Sequence, residues 1–185
     1  MDNMYICYIG RPSYQKNTFF LLDVVRETAK RHPEVKFMLL GLGFYSPDLE
    51  RMKQIINMYN LQDKIELHSW LGHEETLKYV KKSLFYLTVA RYEGLPLSVI
   101  EAMSLGKAII ASDVVGNRDC IKDGYNGYLL QMDAKVFSDK ICYLIENSNE
   151  REVMGNNSRL LFEKKFLIDN RIHKLEEIYN KLAGI

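Results

Sequence analysis

The chain has 185 residues, of which 47% are hydrophobic and 26% are charged, a balance typical of one globular domain large enough to build a well-packed core. Its formal net charge is +1 and no block of like charge occurs. The composition therefore predicts neither a general attraction to nucleic acid nor an electrostatic membrane-binding tail.

Three cysteines, Cys7, Cys120 and Cys142, are scattered along the chain without metal-ligand spacing. An odd number of separated cysteines favours core thiols in a reducing compartment over disulfides or a zinc site. No apolar segment approaches the roughly 20 residues that a membrane-spanning helix needs, and no signal peptide is visible. We therefore expect a cytoplasmic protein.

Short apolar runs alternate with amphipathic stretches up to residue 130, and this pattern predicts a parallel sheet with helices on its faces. The predicted strands are 4–9, 35–40, 64–68, 84–89, 108–111 and 127–130. The predicted helices are 17–32, 47–60, 74–82, 96–105 and a shorter segment at 117–122, followed by consecutive helices at 133–147, 150–166 and 169–183. The fold class is thus α/β, a Rossmann-like doubly wound parallel sheet of about six strands with C-terminal helices.

Candidate functional residues follow the predicted strands one after another. Five successive strand ends are followed by Arg11, Gly41, Gly72, Glu93 and Gly116. In a right-handed doubly wound sheet, the ligand lies outside the carboxyl ends of the strands, at the point where the strand order reverses. We therefore expect five loops at one edge of the sheet to surround a phosphate-bearing ligand.

The run from Arg91 to Lys107 contains two acids, Glu93 and Glu101, separated by seven residues. Glu93 falls in the loop after the fourth strand, and Glu101 lies about a turn and a half into a helix whose first turn suits Pro96. Unpaired N–H groups at a helix N-terminus favour phosphate, and a carboxylate beside them can accept hydrogen bonds from sugar hydroxyls. Taken alone, two acids at this spacing are more often part of a solvated helix face.

The segment from Glu93 to Met103, followed by Gly106 and Lys107, resembles the Glu-x7-Glu motif of the retaining nucleotide-sugar glycosyltransferases of family 4, glycosyl transferases group 1. The resemblance covers most of the chain. The other motifs that carry it, in chain order, are Gly10-Arg11 with Lys16-Asn17, Leu40-Gly41-Leu42-Gly43, Ser112 to Asn117, and Asp123 to Gly127. It implies one half of the two-domain GT-B fold, namely the C-terminal donor-binding half.

The resemblance also implies roles for individual residues. Glu93 would contact hydroxyls of the donor sugar, Glu101 would bind the ribose, and Arg11 with Lys16 would neutralise the departing diphosphate, because fixed positive charge lowers the barrier to its departure. The other implied donor-binding residues are Gly94, Leu95, Leu97, Ser98, Gly10, Gly41, Gly116, Asn117, His73 and Glu74. For His73, a solvated loop histidine is the alternative. Pro96 has no N–H, so one phosphate donor of the family is absent here.

The chain has no Asp-x-Asp motif, so we expect a metal-independent site without a cofactor, with the nucleotide sugar as substrate. The resemblance implies retention of the anomeric configuration by same-face attack assisted by the leaving phosphate. A covalent intermediate on Glu93 is less favoured. Two catalytic carboxylates that act on opposite faces need the substrate between them, whereas here a helix terminus and a phosphate loop lie between the two acids.

Two other interpretations of motifs in the chain are weaker. His73-Glu74 begins like a zinc-protease motif, but Leu77 stands where the second histidine would be. Gly41-Leu42-Gly43 lacks the third glycine of a dinucleotide fingerprint and follows the second strand. A nucleotide-sugar epimerase half-domain and a non-catalytic nucleotide-sugar binding module remain open alternatives.

The length of 185 residues supplies only one domain of a GT-B fold. We therefore expect residues 1–185 to be a single donor domain whose N-terminal acceptor-binding domain is missing, and the isolated chain to be inactive. The expected donor is a UDP-linked hexose or N-acetylhexosamine. The expected acceptor is a glycan or lipid-linked molecule in polysaccharide or O-antigen assembly, with peripheral association of the full-length protein at the inner face of the membrane left open.

Overall fold

The computed structural model describes residues 4–43 and 45–183, which form a six-stranded parallel sheet flanked by helices. The strands are β1 (Tyr5–Ile9), β2 (Lys36–Leu42), β3 (Ile65–Ser69), β4 (Tyr86–Thr88), β5 (Ile109–Ser112) and β6 (Gly127–Leu130). Their order is β3-β2-β1-β4-β5-β6, so the direction of winding reverses between β1 and β4. The predicted doubly wound sheet is confirmed.

All the predicted helices are present in the described part of the chain. They are α1 (Thr18–Ala29), α2 (Leu49–Met58), α3 (His73–Lys82), α4 (Leu97–Ser104), α5 (Val115–Cys120), α6 (Ala134–Glu146), α7 (Ser148–Lys165) and α8 (Ile168–Ala183). Pro96 caps α4 instead of lying in its first turn, and its carbonyl oxygen accepts hydrogen bonds from the N–H groups of Val99 and Ile100. Glu101 consequently lies in the second turn of α4.

The sheet separates two hydrophobic clusters, one on each face. Successive residues of a strand point to opposite faces, so Ile6 and Tyr8 contribute to the cluster under α1, α2 and α6. Tyr5 and Cys7 contribute to the cluster under α3, α4 and α5. Burial of both faces explains why the strands read as short continuous apolar runs.

Gly41 differs from its predicted position in a turn after the second strand. It lies within β2, where the pairing with β3 shifts between Leu40 and Leu42. Its φ of +93° is strained for any residue with a side chain, and the N–H of Gly10 donates to the carbonyl oxygen of Leu40 beside it at 2.9 Å. A bulge in the last residues of β2 thus supports the end of β1.

Candidate functional site

The loops after β1 and β4 meet at the point where the strand order reverses. The N–H of Arg91 donates to the carbonyl oxygen of Gln15 at 2.8 Å, and the side-chain amide of Gln15 donates to the carbonyl oxygen of Tyr92 at 3.4 Å. Parallel strands end at the same edge of a sheet, and these two bonds join their loops into one surface. The loops after β1 and β4, two of the five predicted to converge, therefore meet at this edge.

Lys16 and Glu93 form an ion pair across this surface, with 2.6 Å between Nζ and Oε1. The Glu93 side chain is only 8% exposed, whereas that of Lys16 is 21% exposed. The hydroxyl of the neighbouring Tyr8 donates to the carbonyl oxygen of Lys16 at 3.1 Å, and burial raises the pKa of this phenol well above its usual value. A side chain on Gly10 would lie 2.8 Å from that hydroxyl, which explains the glycine here.

Gly116, at the start of α5, holds the backbone of Glu93. Its N–H donates to the carbonyl oxygen of Glu93 at 3.1 Å. A Cβ atom at position 116 would lie 2.5 Å from the carbonyl oxygen of Gly94 and 2.6 Å from that of Glu93. Only glycine therefore allows α5 to approach the Glu93 loop this closely.

The side chain of Asn117 is fully buried, so it lies beneath this surface. Its amide nitrogen donates to the carbonyl oxygen of Ser112 at 2.9 Å, and the Ser112 hydroxyl donates to the carbonyl oxygen of Ala90 at 2.6 Å. Asn117 is thus placed to support the loop from below. The sequence pattern placed Ser112 at the start of a family motif without giving it a role, and it did not point to Gln15. A polar residue ending the apolar strand β5 was the available signal for Ser112.

Glu101 and His73 come together from α4 and α3, with 2.9 Å between Oε1 and Nε2. Their side chains are 33% and 68% exposed, so the Glu101 carboxylate can still reach a ligand. Glu74 is exposed in the first turn of α3. Glu101 and His73, each predicted to bind the donor, are therefore in contact, although their positions are 28 residues apart in the chain.

The N-terminus of α4 lies between the two acids. Leu97 and Ser98 occupy its first positions, where backbone N–H groups have no intrahelical partner. Gly94 and Leu95 are exposed in the loop before it, and Arg11 is exposed in the loop after β1. Together, Arg11, Lys16 and the N-terminus of α4 can bind phosphate. The Glu101 carboxylate can accept hydrogen bonds from hydroxyls.

Within residues 4–43 and 45–183, no group of three histidine, cysteine or acidic side chains is arranged to hold a metal ion. Over the same ranges, none of the helices combines the length and the apolar character needed to cross a membrane.

The fold and site geometry define a Rossmann-like α/β domain with its candidate site at the switch point of the sheet. The chain belongs to the glycosyl transferases group 1 family, whose model matches residues 1–161. Membership of the glycosyl transferases group 1 family is thereby confirmed, and the fold is confirmed as a Rossmann-like half of the GT-B type.

Named relatives support this assignment. An uncharacterized glycosyltransferase of Methanocaldococcus jannaschii is 30% identical over 97% of this chain and 45% of its own length. The UDP-Gal:alpha-D-GlcNAc-diphosphoundecaprenol alpha-1,3-galactosyltransferase of Escherichia coli is 25% identical over 92% of this chain and 44% of its own length. This chain therefore spans less than half of the length of these relatives.

A solved structure gives the same result. The pneumococcal O-GlcNAc transferase GtfA, in complex with UDP and GlcNAc, superposes with a TM-score of 0.86 and 25% identity, over 100% of this chain and 37% of that chain. The whole described sheet and its helices thus have a counterpart in a glycosyltransferase.

Proposed function

We propose that this chain is the C-terminal donor-binding domain of a retaining, family 4 glycosyltransferase that uses a UDP-linked sugar. The observation that carries the proposal is the Lys16–Glu93 ion pair at the switch point, held beside the N-terminus of α4 and the Glu101 carboxylate. A nucleoside diphosphate sugar matches this arrangement. Its diphosphate can bind the cationic side chains and the backbone amides, and the hydroxyls on both sides of the diphosphate can bind the two acids.

In this proposal, Arg11 and Lys16 stabilise the negative charge that develops on the departing diphosphate. The N–H groups of Gly94, Leu95, Leu97 and Ser98 assist them, and Glu101 accepts hydrogen bonds from the ribose hydroxyls. Glu93 orients the donor sugar through its hydroxyls and does not form a covalent bond. The incoming hydroxyl attacks on the face from which the diphosphate departs, so the anomeric configuration is retained.

The identity of the donor is argued from the relatives. The structure of the pneumococcal transferase contains UDP, and the name of the Escherichia coli relative includes UDP-Gal. A UDP-linked hexose or N-acetylhexosamine is therefore the proposed donor, bound without a metal ion. The proposed acceptor is a glycan or lipid-linked molecule in polysaccharide or O-antigen assembly, held by an N-terminal domain outside this chain, in the cytoplasm or at the inner face of the membrane.

Calorimetric titration of this chain with UDP, GDP, ADP and their common sugar conjugates, with and without EDTA, tests the donor site. We expect selective binding of UDP compounds that survives EDTA and that weakens about tenfold in Glu101→Ala, because hydrogen bonds to a charged group are lost. Glu152→Ala, an exposed acid on α7, is the matched control and should leave binding unchanged. Equal affinity for all nucleotides, or no effect of Glu101→Ala, would contradict the proposal.

Transfer is tested on a longer protein that carries both domains, with the donor that binds best. We expect transfer by that protein with a retained anomeric configuration in the NMR spectrum of the product, and none by the 185-residue chain. An inverted product would contradict the mechanism. An epimerised nucleotide sugar, or binding without any reaction, would favour the epimerase or the binding module.

A further inference from the structure

Four consecutive residues of the loop after β4, from Ala90 to Glu93, are fixed by hydrogen bonds from two sides. Gln15, in the loop after β1, bonds the backbone of Arg91 and Tyr92. On the other side, the Ser112 hydroxyl bonds the carbonyl oxygen of Ala90, and the N–H of Gly116 bonds that of Glu93. The position of the Glu93 carboxylate therefore depends on hydrogen bonds from residues outside its own loop.

Ser112 bonds this loop from inside the domain. It ends β5, is fully buried, and donates to the carbonyl oxygen of Ala90 at 2.6 Å. The side-chain amide of the equally buried Asn117 approaches the Ser112 hydroxyl at 3.4 Å and bonds the Ser112 carbonyl oxygen at 2.9 Å. One hydroxyl thus connects α5, β5 and the loop that carries Glu93.

An apolar residue at position 112 would fit its buried surroundings, but it could not form hydrogen bonds with Ala90 and Asn117. Without the hydroxyl, the Ala90 carbonyl oxygen would lose its side-chain donor inside the protein, and buried polar groups without partners are destabilising. The loop could then relax toward water and take Glu93 with it. A carboxylate that recognises sugar hydroxyls must be held to within about 0.5 Å of its working position, so even a small relaxation matters.

We propose that Ser112 is a positioning residue, which places the Glu93 carboxylate for contact with the donor sugar by fixing the carbonyl group of Ala90. Asn117 acts through Ser112 and not by touching the ligand. The consequence for sugar recognition rests on the proposed function, whereas the effect on the loop does not.

The chain offers a closely matched control in Ser158, on α7. Its side chain is also fully buried, its hydroxyl donates to the carbonyl oxygen of Asn126 at 3.1 Å, and the side-chain amide of Asn126 approaches it at 3.4 Å. Ser158→Ala therefore removes the same chemical groups as Ser112→Ala, but on a helix that does not contribute to the loop.

The test compares wild type, Ser112→Ala, Ser112→Thr and Ser158→Ala by amide hydrogen exchange and by titration with UDP, UDP-glucose and UDP-N-acetylglucosamine. In Ser112→Ala, we expect exchange in residues 90–94 to rise roughly tenfold. Affinity for the tighter-binding UDP-sugar should fall about fivefold, as for one lost hydrogen bond, with little change for UDP. Ser112→Thr, which keeps the hydroxyl, should restore both properties, and Ser158→Ala should alter neither.

The proposal would be overturned if residues 90–94 of Ser112→Ala exchanged at the rate of the wild type. It would also be overturned if Ser158→Ala showed the same rise in exchange and the same fall in affinity as expected for Ser112→Ala. If Ser112→Ala fails to fold, Ser112→Cys, which keeps the shape of the side chain and replaces the hydroxyl with a weak donor, is measured in its place with the same expected direction. If wild type binds no UDP compound, the proposed function fails. In that case, increased exchange confined to residues 90–94 would still support the positioning role.

Discussion

At the scale of single residues, the Lys16–Glu93 ion pair decides how the free site meets a ligand. The two side chains satisfy each other at 2.6 Å, and Glu93 is nearly withdrawn from solvent. A diphosphate that approaches Lys16 must compete with a carboxylate already in contact with it. Glu93 therefore opposes binding of the nucleotide alone, while in the proposed function it favours binding of the sugar.

Glu93→Gln should separate these two effects. The amide keeps the size of the side chain but removes the charge that holds Lys16, so the affinity for UDP should rise about threefold, a typical worth for one weakened charge-assisted contact. The additional affinity conferred by the sugar of a UDP-sugar should fall. Calorimetry with UDP and UDP-glucose measures both changes. Glu101→Gln is the comparison and should weaken both ligands, and a fall in UDP affinity in Glu93→Gln would contradict this account.

Two buried thiols should make the stability of the protein depend on pH in alkaline solution. Burial raises the pKa of Cys7 from 9.0 to about 12 and that of Cys120 to about 11. The folded state therefore keeps these protons while the unfolded state loses them. The stabilisation is complete below pH 9 and is lost as the pH rises toward the folded-state values, by about 1.4 kcal/mol per pH unit for each thiol.

Urea denaturation at pH 8, 9 and 10 measures this loss, and because tyrosines also begin to ionise in this range, a variant without the two thiols is needed to isolate their share. The double variant Cys7→Ala, Cys120→Ala should be less stable at pH 8 because it lacks two buried side chains, yet its free energy of unfolding should depend less on pH. An equally steep dependence in the double variant would show that other groups cause it.

At the scale of elements, α7 packs against the turn after α4 through a glycine. A Cβ atom at Gly155 would collide with the carbonyl oxygen of Gly106, whose φ of +67° fixes that turn. Gly155→Ala should therefore lower the free energy of unfolding by about 2 kcal/mol, although alanine is the better helix former by about 1 kcal/mol. The neighbouring exposed Asn156→Ala should change it by less than about 0.5 kcal/mol. Stabilisation by Gly155→Ala in urea denaturation would show that the two segments can separate.

Elements with a strong hydrophobic pattern were predictable from the sequence. β1 and β5 are buried on both faces, so their apolar runs stand out from the amphipathic helices. The bulge at Gly41 was not predictable, because it depends on the pairing of β2 with β3. The capping position of Pro96 was not predictable either, because it depends on where the hydrogen bonds of α4 begin. Local pattern predicts the type of an element, and neighbours determine its last residues.

The same distinction holds for the candidate site. The spacing of Glu93 and Glu101 around a helix N-terminus could be read from the sequence. The contact of Glu93 with Lys16 spans 77 positions and that of Ser112 with Ala90 spans 22, so both depend on the order of strands in the sheet. The donor-binding role of Asn117 stays a prediction, and the burial of its side chain depends on packing that the sequence pattern does not show.

At the scale of the whole molecule, the two hydrophobic clusters share one sheet. Each central strand sends alternate side chains to both clusters, as Tyr8 and Cys7 of β1 do, so neither cluster can form without the strands of the other. The described part of the chain should therefore unfold in a single transition. Its binding loops extend from the ends of these same strands and should lose their arrangement in the same step.

A ligand at the switch point should consequently stabilise the whole domain and not only its loops. UDP at about 100 times its dissociation constant should add about 2.7 kcal/mol to the free energy of unfolding, because it binds only the folded state. Far-UV circular dichroism, which reports the sheet and helices, and pulsed amide hydrogen exchange of residues 90–94, which reports the loop, should show the same midpoint in urea, shifted upward together by UDP, with Glu101→Ala showing a smaller shift at the same UDP concentration. Separation of the two signals, or a UDP-induced shift in only one of them, would mean that the loops and the sheet unfold as independent units.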